Sequence, residues 1–290
     1  MEAIHTVEWM KQVARQARAE GRLAGLVPTM GALHAGHLSL IEAARRASSP
    51  VVVSLFVNPK QFGPSEDYTK YPRDFESDRR KLEEAGVDFL FAPSVEEIYP
   101  PGFRTSVNLE GLADRLEGKI RPGHFRGVAT VVLKLLEIVA PRFAYFGRKD
   151  AQQASIIRQM AADLNLDSEI VVCPIVREPD GLALSSRNRY LSSAERKAAT
   201  VLYRSLLRAR LAIEEGERDT MRIASAMRRE LAKEPLASPD YVEVVDAGSF
   251  EPVVRVTRSC LVLLAVRFGA TRLIDNMQVE VTGGGIICTI

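Results

Sequence analysis

Over the first 176 residues, short unbroken apolar runs alternate with segments whose apolar positions recur every three or four residues. Leu23–Pro28 is a run of the first kind and stops at a proline. Gly36–Ser48 is of the second kind, with Leu38, Ile41, Ala44 and Arg45 spaced for one inward helix face. Val51–Val57 reads VVVSLFV, a β-branched run suited to a strand buried on both faces. Arg73–Ala85 is charged and amphipathic, with Gly86 as a stop signal. Asp88–Ala92 is a further short apolar run. Gly127–Val139 predicts a helix ended by Pro141, Phe143–Phe146 a strand, Asp150–Leu164 a helix and Glu169–Val176 a strand. Strands separated by helices imply βαβ units and a parallel sheet. Right-handed crossovers then give an open, doubly wound α/β sheet of Rossmann-like type.

The pattern changes after Ser192. Residues 193–234 predict two charged helical segments, and three strand-like runs follow, YVEVVDA, SCLVLLAVRF and TRLIDNM. Helices followed by grouped strands suggest a small α+β domain. REPDGLALSSRNRY, residues 177–190, lies at the junction, so the expected division is 1–176 and 177–290. A length of 290 residues accommodates two such domains.

Composition narrows the class. With 46% apolar and 26% charged residues, the chain reads as a soluble globular protein. A formal charge of +2 gives no general footprint for nucleic acid. The three cysteines, Cys173, Cys260 and Cys288, form no CxxC pair, which suggests neither a zinc site nor a disulfide framework and fits a reducing cytoplasm. The first residues lack the apolar core of a signal peptide, and no stretch approaches the roughly 20 apolar residues of a membrane span.

Four segments carry candidate chemistry. PTMGALHAGH, Pro28 to His37, follows a predicted strand and opens a helix, where nucleotides bind in such sheets. Backbone N–H groups at a helix start suit phosphate. His34 and His37, three residues apart, add donors for triphosphate oxygens, while Gly31 and Gly36 allow close approach. Two histidines that merely cap the helix, or an HxxH metal pair, remain alternatives. No GxxxxGK[ST] and no GxGxxG occurs, so bound ATP would rely on the histidine turn and not on a Walker loop. VNPKQFGPSEDYTKYPRD, Val57 to Asp74, places Gln61 past a buried strand, as a substrate wall or as an ordinary polar loop. YFGRKDAQQ offers Lys149 to phosphate, Asp150 as a helix cap or ribose acceptor, and Gln153 one turn on; a solvated lysine is the plainer reading. LALSSRNRY gives two serines and Arg187, a grip for phosphate that is weak as an isolated motif.

Together and in order, PTMGALHAGH, FVNPKQFG, YFGRKDAQQ and LSSRNRYL resemble the pantothenate synthetases, or pantoate–β-alanine ligases, of the HxGH nucleotidylyl-transferase superfamily. The resemblance extends to RPGHFRGVATVV (121–132) and to RLIDN near the C-terminus; Arg148 and Ala151 are minor differences. It implies a ligase that activates pantoate with ATP as an acyl-adenylate and joins it to β-alanine. Met30, Gly31, Ala32, Leu33, His34, Ala35, Gly36 and His37 would bind ATP. So would Gly147, Arg148, Lys149, Asp150, Val176 through its backbone, and Leu184, Ser185, Ser186 and Arg187. His37, His34, Lys149 and Arg187 would form the catalytic set, with Gln61 and Gln153 on pantoate and Gln61 also near β-alanine. Magnesium would arrive mainly on the ATP phosphates, with no direct protein ligand assigned and Asp78 only a loose outer candidate. A cytoplasmic homodimer joined through the N-terminal domain, with the second domain as a lid and no nucleic-acid or membrane partner, completes the expectation. The competing readings are a nucleotidylyltransferase with a stable adenylylated product and a non-catalytic nucleotide-binding protein.

Overall fold

The computed structural model describes residues 1–64 and 66–290, which divide into two units. The first comprises residues 1–148 and 152–174, the second residues 149–151 and 175–290.

In the first unit the elements run β1 (Glu2–Ile4), α1 (Val7–Ala19), β2 (Gly25–Thr29), α2 (Ala35–Ala47), β3 (Val51–Leu55), α3 (Phe75–Glu84) and β4 (Phe89–Phe91). There follow α4 (Val95–Ile98), α5 (Glu117–Ile120), α6 (His124–Val139), β5 (Phe143–Gly147), α7 (Ala151–Asp163) and β6 (Glu169–Cys173). The six strands form one sheet in the order β1-β4-β3-β2-β5-β6, every pair parallel. Side-chain alternation explains why the strand sequences read as unbroken apolar runs. Leu26, Val52, Phe91 and Ala144 face α1, α6 and α7, while Val27, Val53, Leu90 and Tyr145 face α2 and α3. Both faces are buried, so neither set can be polar. The expected doubly wound α/β sheet is therefore present. Strand order reverses at β2, which has β3 on one side and β5 on the other. The carboxyl ends at such a reversal form the crevice where these sheets bind ligands.

The sequence pattern did not predict β1 and α1. β1 is only three residues long, and α1 fully buries just Met10, Ala14 and Ala17 on a helix that also carries Glu8, Lys11, Arg15 and Arg18. Thr6 caps α1 by accepting from Trp9 N, which sets its start.

The second unit holds α8 (Ser193–Ala198), α9 (Val201–Glu214), α10 (Thr220–Leu231) and four antiparallel strands, β7 (Ser238–Asp246), β8 (Cys260–Phe268), β9 (Thr271–Thr282) and β10 (Gly285–Thr289). Cys260, Val262, Leu264, Val266 and Phe268 line one face of β8 and share a core with Leu202, Leu206, Ile223 and Met227 of the helices. The two predicted helical segments are three helices. The first breaks at Ala199–Thr200, where the Thr200 hydroxyl donates to the Lys197 carbonyl at 2.8 Å and competes with the helix ladder. The three strand-like runs are four strands, because Gly283–Gly284 turns the chain back to form β10 on β9. Among the described residues, no helix is long and apolar enough to cross a membrane.

Candidate active site

The histidine turn begins where β2 ends. Gly31 (φ +86°) and Ala32 (φ +53°) both take left-handed conformations. A Cβ on Gly31 would lie 2.9 Å from the Asp78 carboxylate, so this position needs glycine twice over. Asp78, fully buried on α3, holds the turn by accepting from Ala32 N at 2.7 Å and Leu33 N at 2.8 Å. Lys81, one turn along α3, donates to the Leu33 carbonyl at 2.9 Å. The Asp78 carboxylate thus holds the turn through main-chain donors, with Lys81 Nζ 3.9 Å from its Oδ1.

His34 is the N-cap of α2, and His37 is its third residue. Each ring serves the other's backbone in a reciprocal capping box. His34 Nδ1 accepts from Gly36 N at 3.2 Å, and His37 Nδ1 accepts from His34 N at 3.3 Å. The rings lie 4.1 Å apart between centroids. Because Nδ1 is the acceptor in both, the neutral rings carry their hydrogen on Nε2. This changes the expected use of the helix start. Its amides are largely spent on the two histidines and on Asp78.

Gln61 sits on a short 3-10 turn, Pro59–Gln61, capped by Asn58. It is buried, and its carboxamide bridges two elements. Oε1 accepts from Asn58 Nδ2 at 3.1 Å, and Nε2 donates to the Met30 sulfur at 3.0 Å. A thioether is a weak acceptor, so this is the weaker of the two carboxamide bonds. The NPKQ turn rests on α6 and the residues just before it. A Cβ on Gly127 would fall 2.2 Å from the Lys60 carbonyl oxygen, and the Gly127 carbonyl accepts from Asn58 Nδ2 at 3.1 Å. His124 Nδ1 donates to the Gln61 carbonyl at 2.8 Å. Its Nε2 then accepts from Arg121 Nη1 at 2.9 Å, and Arg121 makes a two-pronged ion pair with Glu66 at 2.6 and 2.7 Å. Burial, with the Arg121 charge, pushes His124 down to about 4, so the ring is neutral at physiological pH. Tyr99 completes the turn by donating to Asn58 Oδ1 at 2.9 Å, and burial pushes its phenol up.

Gln152 and Gln153 are adjacent but differ in use. Gln152 is buried and bonds to Leu112 O, Arg115 O and Glu117 N. Among the described residues, no side-chain hydrogen bond involves Gln153. In the second unit, Lys149 lies in a 3-10 turn, Arg148–Asp150, with Nζ 3.5 Å from Asp150 Oδ1. Nothing stands within 4 Å of a Cβ built on Gly147. The Val176 carbonyl accepts from Leu184 N at 3.0 Å, and Ser185 Oγ accepts from Arg187 N at 3.3 Å, so residues 176–187 form a folded-back arm. Ser186 is buried within it.

The sequence reading assigned no role to Asn58, Glu66, Arg121 or His124, and it placed Asp78 differently. Asn58 lay inside the quoted FVNPKQFG, and Arg121 and His124 inside RPGHFRG, but partnerships between residues sixty positions apart leave no local pattern. A cleft of about 290 Å³ opens at the carboxyl ends of β3 and β4. Of the predicted ligand-binding residues it includes only Met30 and Gly31, alongside Tyr68, Arg73 and Ser94.

The model of the family described as pantoate-beta-alanine ligase matches residues 2–278. The chain belongs to that family. It is 53% identical to the pantothenate synthetase of Caldicellulosiruptor saccharolyticus over 281 residues, which cover 97% of this chain and all of that one. A crystal structure of pantothenate synthetase from Thermus thermophilus superposes with a TM-score of 0.91 at 48% identity, covering 95% of this chain and 98% of that one. The pantoate-beta-alanine ligase of Francisella tularensis, crystallised with beta-gamma ATP and beta-alanine, gives a TM-score of 0.79 at 35% identity over 96% and 97% of the two chains.

Proposed function

We propose that this ligase condenses pantoate with β-alanine, consuming ATP to AMP and pyrophosphate through a pantoyl-adenylate intermediate. The observation that carries the reading is the paired histidine cap of α2 beside Gln61: two Nε2–H donors at the carboxyl end of β2, joined to a buried carboxamide through Met30.

A carboxylate oxygen of pantoate attacks the α-phosphorus of MgATP, and the bond to the β-phosphate oxygen breaks. Two anions must meet, so positive charge is needed at the transferring group. His34 and His37 donate from Nε2 to phosphate oxygens as charge builds on the departing pyrophosphate. Lys149 and Arg187 supply fixed cations. Magnesium enters with ATP as the ion of the substrate complex. Gln61 exchanges its bond to the Met30 sulfur for one to a pantoate oxygen, and Gln153 offers the second carboxamide. The amine of β-alanine then attacks the acyl carbon, AMP leaves with the former carboxylate oxygen, and the nitrogen loses a proton. No protein nucleophile takes part. The mixed anhydride must be kept from water, and the second unit serves as the lid in this reading. The enzyme works as a cytoplasmic homodimer joined through its first unit; three unpaired cysteines fit a reducing compartment.

The test separates the two half-reactions. Labelled pyrophosphate exchanges into ATP when pantoate is present and β-alanine absent, and pantothenate is detected by mass only when all three substrates are supplied. Pantothenate formation without any pyrophosphate exchange rules out the adenylate route. Stable accumulation of an adenylylated product in the presence of β-alanine points instead to a nucleotidylyltransferase.

A further inference from the structure

The RLIDN segment of β9 is outside every ligand-binding motif, yet it contains an adjacent pair of buried polar residues, Asp275 and Asn276, exposed by only 2% and 1%. Consecutive strand residues point to opposite faces of a sheet. Asp275 lies on the same face as Leu273, Met277 and Val279, within the helix-covered core. There its carboxylate takes both terminal nitrogens of Arg177, at 2.7 and 2.8 Å. Arg177 also donates to the Gly181 carbonyl, and its guanidinium stacks on Tyr203 at 5.0 Å. Arg177 and Ala183 form an isolated β-bridge, so this ion pair anchors the arm that carries Leu184 to Arg187. Asn276 points the other way. Its Nδ2 donates to the main-chain carbonyl of Lys149 at 3.0 Å.

The second contact matters because of the kind of backbone that Lys149 occupies. A 3-10 turn of three residues has poor internal hydrogen-bond geometry, so the segment does little to fix itself. Lys149 ends in a flexible side chain, and the accuracy with which its ammonium can be offered to phosphate depends on where its own backbone is held. Asn276 sits in a strand registered against β8 at Leu263, a stiff mount for a remote support. Residues 149–151 belong with this unit and not with the sheet that flanks them in sequence.

We propose that Asn276 is a positioning residue for Lys149: its buried amide fixes the carbonyl of the lysine-bearing turn, while Asp275 fixes the neighbouring phosphate arm through Arg177, so that one dipeptide sets both nucleotide-facing segments of the unit. The inference rests on the reading that Lys149 meets the phosphates of ATP.

The experiment is a double-mutant cycle on the full-length enzyme, with pyrophosphate exchange and thermal melts measured for Asn276→Asp, Lys149→Ala and the combination. Asn276→Asp keeps the shape but removes the donor. Asn276→Ala, which places no charge against the carbonyl, replaces it if the aspartate variant does not fold. The expected result is a rise of about tenfold in the KM for ATP, with the KM for pantoate within about twofold. In the Lys149→Ala background the same substitution adds less than about twofold, because the group it positions is gone. Independent, multiplying effects, or wild-type ATP parameters in a folded Asn276 variant while Lys149→Ala is impaired, overturn the positioning role alone. Wild-type exchange in Lys149→Ala removes the reading of Lys149 itself, and the inference with it.

Discussion

The histidine turn and the glutamine turn lie side by side in the first unit and are stabilised in opposite ways. The histidine turn is largely self-supporting. Its two imidazoles cap the helix they begin, and Asp78 and Lys81 of α3 add their support. The glutamine turn borrows nearly everything, with Gly127 beneath it, His124 on its carbonyl, Tyr99 on Asn58, and the Arg121–Glu66 pair behind His124. In the first, the residues that would touch substrate are also the scaffold. In the second, the substrate-facing group and the supports are separate residues. Mutations should therefore mix chemistry with structure in one turn and separate them in the other.

The largest effect expected is that of His37→Ala. Removing a positioned donor or acid lowers the adenylation rate by roughly 10²–10⁴-fold. Since His37 is also half of the capping box, the variant should lose about 1 kcal/mol of stability as well. Single-turnover adenylate formation measured beside a thermal melt checks both. A large loss of stability with near wild-type chemistry would show the ring to be scaffold only.

A second test changes pH and isolates the borrowed supports. His124 has a folded-state value of about 4, below the ordinary 6.5 of an unfolded chain. Between those values the unfolded state binds more protons, so stability is fully present above about pH 6.5 and is lost as pH falls through about 4. The full shift corresponds to roughly 3 kcal/mol, most of it gone by about pH 4.5. Urea unfolding of the wild type and of His124→Gln, at pH 7 and 4.5, should show a steeper loss in the wild type. Equal slopes would mean that the imidazole is not held neutral.

Smaller still is Gln61→Ala. Its supports remain, so folding should change little, while the KM for pantoate rises by the equivalent of about 1–3 kcal/mol. Calorimetry should find ATP affinity within about twofold of wild type. A comparable loss of ATP affinity would mean that the two turns act as one.

The same contrast explains what could be read from the sequence. The parallel sheet was legible because burial on both faces forces runs such as Val51–Leu55, and the helix start at His34 was legible because the motif is contiguous. The start of α6 lies three residues ahead of the expected Gly127, since His124 and Phe125 are buried against features that no local pattern displays. Asp78 entered only as a loose outer metal candidate through the family resemblance, because its main-chain partners, Ala32 and Leu33, are some 45 residues away and leave no local pattern. The motif left open whether the histidines stand beside free backbone amides or cap the helix, and the rings do cap it.

The position of β2 in the sheet also bears on how the enzyme is made. Its neighbour β3 follows within a few tens of residues, but β5, its partner on the other side, pairs with Gly25 through Phe143, about 120 residues later in the chain. At ordinary translation speeds the ribosome needs roughly 6–24 s to cover that distance. Throughout that interval the histidine turn exists with one flank of its crevice missing and the apolar edge of β2 unpaired, a state in which nascent chains are exposed to mispairing and to chaperones. The strand that bears the histidine turn is thus among the first made and among the last enclosed.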